Sequence, residues 1–188
     1  TGTPGAYQVT TEKGSFALAD LGQRLSAILP QLTQDAAVQA VFNAAGTAVL
    51  GGNLLDIAFR LTGTPGAYQV TTEKGSFALS DLGTRLSAIL PQLTQDAAVR
   101  AVFNRLDRSV LAGWLVDISL RLTGNATDGY MVGEGKTAYR LNDLGARLTA
   151  ILPQVTTHTT PEVAQLFNSM QTTVLAGWLL DTSLRLQP

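Results

Sequence analysis

Charged residues four apart recur at matching places along this chain: Asp56 and Arg60, Asp117 and Arg121, Asp181 and Arg185. A second set has the same spacing: Asp20 and Arg24, Asp81 and Arg85, Asp143 and Arg147. On a helix, residues i and i+4 share a face. Each pair therefore reads as a structural ion pair, worth roughly 0.2–0.5 kcal/mol when exposed and requiring full hydrogen bonding when buried. Acid–base catalysis would instead need carboxylates from separate stretches brought together, one with a raised pKa. Nothing in the spacing shows such convergence.

The other candidate chemistry is sparse. His158 is the one histidine and stands in a Thr-rich stretch, whereas a metal site needs several ligands. Gly133-Glu134-Gly135-Lys136-Thr137 ends like a phosphate-binding loop, but the earlier glycine that such a loop requires is displaced, because Tyr130 holds that position. It reads as a hairpin turn. Cysteine is absent, which removes disulfides, thiolate metal sites and cysteine nucleophiles. No nucleophile elbow, zinc-protease motif or dinucleotide fingerprint occurs. Asn125-Ala126-Thr127 fits a glycosylation acceptor in an expected surface turn. The expectation is no catalytic residue, no metal and no cofactor.

Self-similarity sets the elements that carry these residues. GAYQVTTEKGSFAL begins at Gly5 and returns unchanged at Gly66, and a looser version, GYMVGEGKTAYRL, begins at Gly129. Each is followed by DLGQRLSAILPQL, DLGTRLSAILPQL or DLGARLTAILPQV, and each stretch closes on LLDIAFRL, LVDISLRL or LLDTSLRL. A period of about 61–64 residues calls for a modular architecture. A lone unit of that size is marginal, so three units are expected to share a core. The charged fraction is 14% and the net charge −1, giving no field to attract nucleic acid or an anionic membrane. Such a surface also opposes self-association only weakly. The uncharged stretch from Ala36 to Leu55 is long enough to cross a bilayer. Its counterpart in the second stretch carries Arg100, Arg105, Asp107 and Arg108, which argues against a span. The chain opens on Thr1, which reads as a processed or excised piece with no signal peptide in view. The compartment is left open, a secreted or cell-surface setting being favoured over the cytoplasm.

The expected fold class is α+β, mainly helical: three tandem repeats over 1–61, 62–122 and 123–188. Each is a short β-hairpin, then a short helix, then a long helix in which Gly51-Gly52 reads either as close helix packing or as a break into two helices. Alternating Tyr7 and Val9, then Phe16 and Leu18, flank a Gly-containing turn and predict the hairpin. Asp20 is placed as the N-cap of the first helix, and Pro30, Pro91 and Pro153 should kink or end it. A second helix should run from Thr33–Asp35 to Leu61, with Val38, Phe42, Val49, Leu50, Leu54 and Ile57 as its apolar stripe. The Gly- and Pro-rich junctions read as short turns. The hairpins should cover one end or join a shared sheet, and the helices should form a layered array or a pseudo-threefold bundle.

GYMVGEGKTAYRLNDLGARLTAIL resembles the wing hairpin and following helix of winged-helix proteins over some 24 residues. The resemblance implies a regulatory or nucleic-acid-binding module, although the helix-turn-helix that precedes a wing is missing and the chain is not basic. The leading expectation is a non-enzymatic structural protein that self-assembles through helix packing between repeats, as an oligomer or filament. The alternative is a module enclosing an apolar small molecule between helices, with Trp114, Trp178, Phe42, Phe103 and Phe167 lining the cavity. The winged-helix-like regulatory module stands third. The expected partner is a second copy of the chain, with no nucleic acid and no membrane span.

Overall fold

In a computed structural model, residues 7–133 and 135–186 are described. Gly5 and Ala6 of the first hairpin motif, and Glu134 of the GEGK turn, lie outside the described residues. The fold is mixed α+β and mainly helical. Hairpin β1 (Gln8–Thr11) and β2 (Gly14–Ala17) leads through a short 3₁₀ turn into α1 (Leu21–Leu32), α2 (Ala36–Ala45) and α3 (Thr47–Arg60). Next come β3 (Leu61–Thr62), β4 (Gln69–Thr72), β5 (Gly75–Ala78), α4 (Leu82–Thr94), α5 (Ala97–Asn104) and α6 (Arg108–Arg121). The last set is β6 (Thr123–Asn125), β7 (Gly129–Val132), β8 (Tyr139–Arg140), α7 (Leu144–Thr156), α8 (Pro161–Ser169) and α9 (Thr172–Arg185).

The hairpins form as the alternation requires, in register Val9 to Phe16 and Val70 to Phe77. Among the described residues they form three separate antiparallel sheets and no shared one. The junctions do more than turn. Leu61–Thr62 pairs with β4 and Thr123–Asn125 with β7, so the residues leaving one helix add a third strand to the following hairpin.

The long second helix is two helices, and the break is not at Gly51-Gly52, which lie inside the continuous α3. The chain turns at Gly46, whose φ of 91° suits only glycine, and α2 and α3 meet at 114°. At the matching places, Leu106-Asp107 and Met170-Gln171 make the turn without glycine, Asp107 capping α6 by accepting from Ser109 N–H at 2.8 Å. Among the described residues no single helix is long and apolar enough to cross a membrane; α2 and α3 pass by length and composition only as this bent pair.

Two further expectations are corrected. Asp20, Asp81 and Asp143 are already helical in backbone and make no side-chain cap. A 3₁₀ turn starts one residue triplet earlier, at Leu18, Leu79 and Leu141, whose carbonyls accept from the N–H of Leu21, Leu82 and Leu144. Besides Asp107, the capping carboxylates are Asp35 and Asp96, each accepting from two backbone N–H groups at 2.9 Å. Pro30 does not end α1, which runs on to Leu32. It stands within the last turn, where only one i to i−4 bond is forfeited.

Packing is sequential. α1 touches α4, and α4 touches α7, while α2 lies on α4 and α6, and α5 on α7 and α9. Gly83 and Gly145 make the first contact close: a Cβ at either would stand 3.0 Å from the carbonyl oxygen of Gln31 or Gln92. One continuous core runs from Ile28 to Leu179 and takes in Phe42, Val70, Leu86, Ile89, Phe103, Leu115, Leu144 and Leu148. The helices thus form a layered array with a shared interior.

Candidate functional site

Three arginines sit in the seams of this array. Arg24 and Arg85 are buried and Arg147 half-buried. Each lies one turn into the first helix of its set. Each reaches the C-terminal end of the third helix, where four carbonyls lack helical partners and the dipole is negative. Arg24 Nη1 donates to the carbonyls of Ala58 (3.3 Å) and Leu61 (2.7 Å). Arg85 Nη1 donates to Ser119 (3.2 Å) and Leu122 (2.8 Å), and its Nη2 to Gly124 (3.2 Å). Arg147 Nη1 donates to Ser183 (3.2 Å) and Leu186 (2.9 Å). These are hydrogen bonds from a charged donor, the stronger kind.

Aromatic rings close over the guanidinium planes. Arg24 lies 3.8 Å from the Phe16 ring centre and 5.6 Å from that of Tyr68. Arg85 lies 3.7 Å from Phe77 and 5.3 Å from Tyr130. One ring comes from the hairpin before the arginine and the other from the hairpin after it, so each arginine fastens consecutive hairpins together. Arg147 has Tyr139 at 3.8 Å, and no second ring covers it among the described residues. Arg85 also pairs with Asp81 at 2.8 Å, and Asp81 accepts the Tyr130 hydroxyl at 2.6 Å.

Burial, then the Asp81 carboxylate, pushes the Tyr130 phenol well above its ordinary 10.0. The folded chain keeps this proton after the unfolded chain has released it. The stability that depends on the proton is whole below the unfolded value and declines as pH rises past about 10. Tyr130→Phe should show a shallower alkaline loss of stability than the native chain in urea titrations above about pH 10. Equal slopes would mean that the phenol is not held protonated.

The residues singled out from sequence are placed as follows. Asp56–Arg60, Asp117–Arg121 and Asp181–Arg185 form ion pairs at 3.1, 3.0 and 3.0 Å on the outer faces of α3, α6 and α9. Phe42 and Phe103 are core residues. Phe103 meets the edge of Trp114, with ring centres 6.4 Å apart. Trp114 borders a cleft of ≈ 650 Å³ between α6 and α9, whereas Trp178 and Phe167 border another of ≈ 330 Å³ with Val155, Met170 and Leu175. The five aromatics therefore do not line one cavity. His158 is exposed, its Nδ1 3.4 Å from Gln154 Nε2. Among the described residues no group of three His, Cys, Asp or Glu side chains could hold a metal. Asn125 closes a local turn, its Oδ1 accepting from Thr127 and Asp128 N–H at 2.9 Å.

What the sequence reading missed are the arginine clamps and the two end faces. At matching positions of α2, α5 and α8, Val41 is 6% and Val102 9% exposed, but Leu166 is 65% exposed. On the third helices the order reverses: Leu120 of α6 is 7% exposed and Leu184 of α9 half-buried, but Phe59 of α3 is 38% exposed. Trp114 rests 3.9 Å from where a Cβ of Gly177 would be, whereas Trp178 is 56% exposed and the matching Gly52 has open space around it. The chain matches no known protein family, no curated protein and no solved structure.

Proposed function

We propose that this is a non-enzymatic structural protein made of three tandem units, and that it self-assembles head to tail through the faces its own units use on one another. One observation carries the reading. At the α8–α9 end Leu166 is exposed where Val41 and Val102 are buried, and Val174 and Trp178 are exposed where Val49, Val110, Asn53 and Trp114 are half-buried; on α3, Leu55 and Phe59 are exposed where Val116 and Leu120 are buried. Leu55, Phe59 and Gly52 form the head, and Leu166, Val174 and Trp178 the tail. Covering such faces with a second copy extends an interface the chain already makes twice. The two faces differ, so the contact is heterologous, and copies joined this way form a ring where the rotation closes and a filament where it does not. With a net charge of −1, little repulsion opposes the stacking.

Leu166→Glu should leave the circular dichroism spectrum unchanged, because the side chain is already exposed, and should abolish assemblies seen by sedimentation velocity at high concentration. A native chain that stays monomeric throughout would overturn the reading. The ≈ 330 Å³ apolar cleft beside the exposed Trp178 favours a second reading, a site for an apolar small molecule. Saturable quenching of tryptophan fluorescence by such a molecule, in a chain that remains monomeric, would decide for it.

A further inference from the structure

Resting on this head-to-tail reading, we infer that Tyr7 of one copy closes over Arg147 of the next and donates its hydroxyl to Asp143, forming the polar lock that sets the register of assembly. The inner seams supply the template. Tyr130 covers Arg85 and donates to Asp81 at 2.6 Å, and Tyr68 covers Arg24. Arg147 and Asp143 occupy the positions of Arg85 and Asp81, with Tyr139 on one face of the guanidinium and the other face uncovered among the described residues.

At the opposite end, Tyr7 is presented as its counterparts are. Its carbonyl accepts from Leu18 N–H at 2.8 Å, as the Tyr68 carbonyl accepts from Leu79 N–H at 2.9 Å. Yet Tyr7 is 49% exposed where Tyr68 and Tyr130 are 6% exposed. Leu18 beside it is exposed, and Leu79 and Leu141 are buried. The tail offers a cation and an acceptor, and the head offers a ring and a hydroxyl. An apolar face alone permits sliding by a helical turn. A hydroxyl that must reach one carboxylate does not.

A double-mutant cycle on assembly tests this. Tyr7→Phe and Asp143→Asn alter exposed side chains and should leave the monomer folded by circular dichroism. Each should weaken head-to-tail association by about tenfold to a hundredfold, the range expected for one hydrogen bond to a charged group. The double variant should be no weaker than either single one, since both remove the same bond. Additive losses, or no loss, in a chain whose assembly is still abolished by Leu166→Glu would overturn the lock and leave the assembly standing. A native chain that never associates would overturn both.

Discussion

Arg85→Ala should lower the unfolding free energy by about 3–5 kcal/mol, the range for breaking a buried charged pair by removing one partner. Six groups are affected together. The carbonyls of Ser119, Leu122 and Gly124 lose a donor at a helix end that is turned away from water. Asp81 loses its cation, and the Phe77 and Tyr130 rings lose the plane between them. Lysine should not rescue, because a single ammonium group cannot span three carbonyls and a carboxylate as the planar fork does. Arg147→Ala should cost less, since that side chain is half-buried and has one ring fewer. Urea denaturation followed by circular dichroism gives both numbers. An Arg85→Ala chain as stable as the native one would mean that the clamp is not a stabilising contact.

The second large effect comes from one substitution made at three matching places. Phe42→Ala and Phe103→Ala should each cost about 3–5 kcal/mol, the usual loss for truncating a buried aromatic. Both side chains are essentially solvent-free, and Phe103 also loses its edge contact with Trp114. Phe167→Ala should cost clearly less, because α8 has no fully buried residue and Phe167 already borders an open cleft. Equal losses at the three positions, measured in the same urea titration, would show that the α8 face is covered in solution.

Much of the local structure was legible in the residues. Tyr7, Val9, Phe16 and Leu18 alternate around a glycine turn, and that is enough for a hairpin. Asp35 and Asp96 stand where a cap is needed, just before an apolar stripe. The Asp56–Arg60 spacing directly implies a bond along a helix, and one is present. Gly51-Gly52 is the conspicuous weak point by propensity, and that made it a candidate break. Propensity is overridden here by the packing of one face of α3, where Ile57 and Ala58 are buried. Gly46, the real turn, has no glycine counterpart in the other stretches, so only its left-handed φ marks it.

The arginine clamps were hidden by a sufficient local explanation. Asp81 lies four residues before Arg85, and a helical ion pair accounts for the spacing. The partners that matter more, Ser119 and Leu122, are more than thirty positions away. A signal was available: an arginine at the same place in each stretch, with an aromatic eight residues before it and a tyrosine leading the following hairpin. The exposed end faces could not be read at all, because Val41, Val102 and Leu166 are equally apolar and only the stacking order distinguishes them.

Among the described residues one ring lies on Arg147 and two on each of Arg24 and Arg85, so the α8–α9 end should be the softer one. Fluctuation should begin where the last guanidinium is held from one side and spread inward through α8 and α9. It should meet more resistance at Arg85 and Arg24, where hairpins on both sides must part at once. A neighbour that seats a tyrosine there would do more than adhere. It would finish the folding of the subunit it joins, so that growth of the assembly and ordering of its newest terminus become a single event.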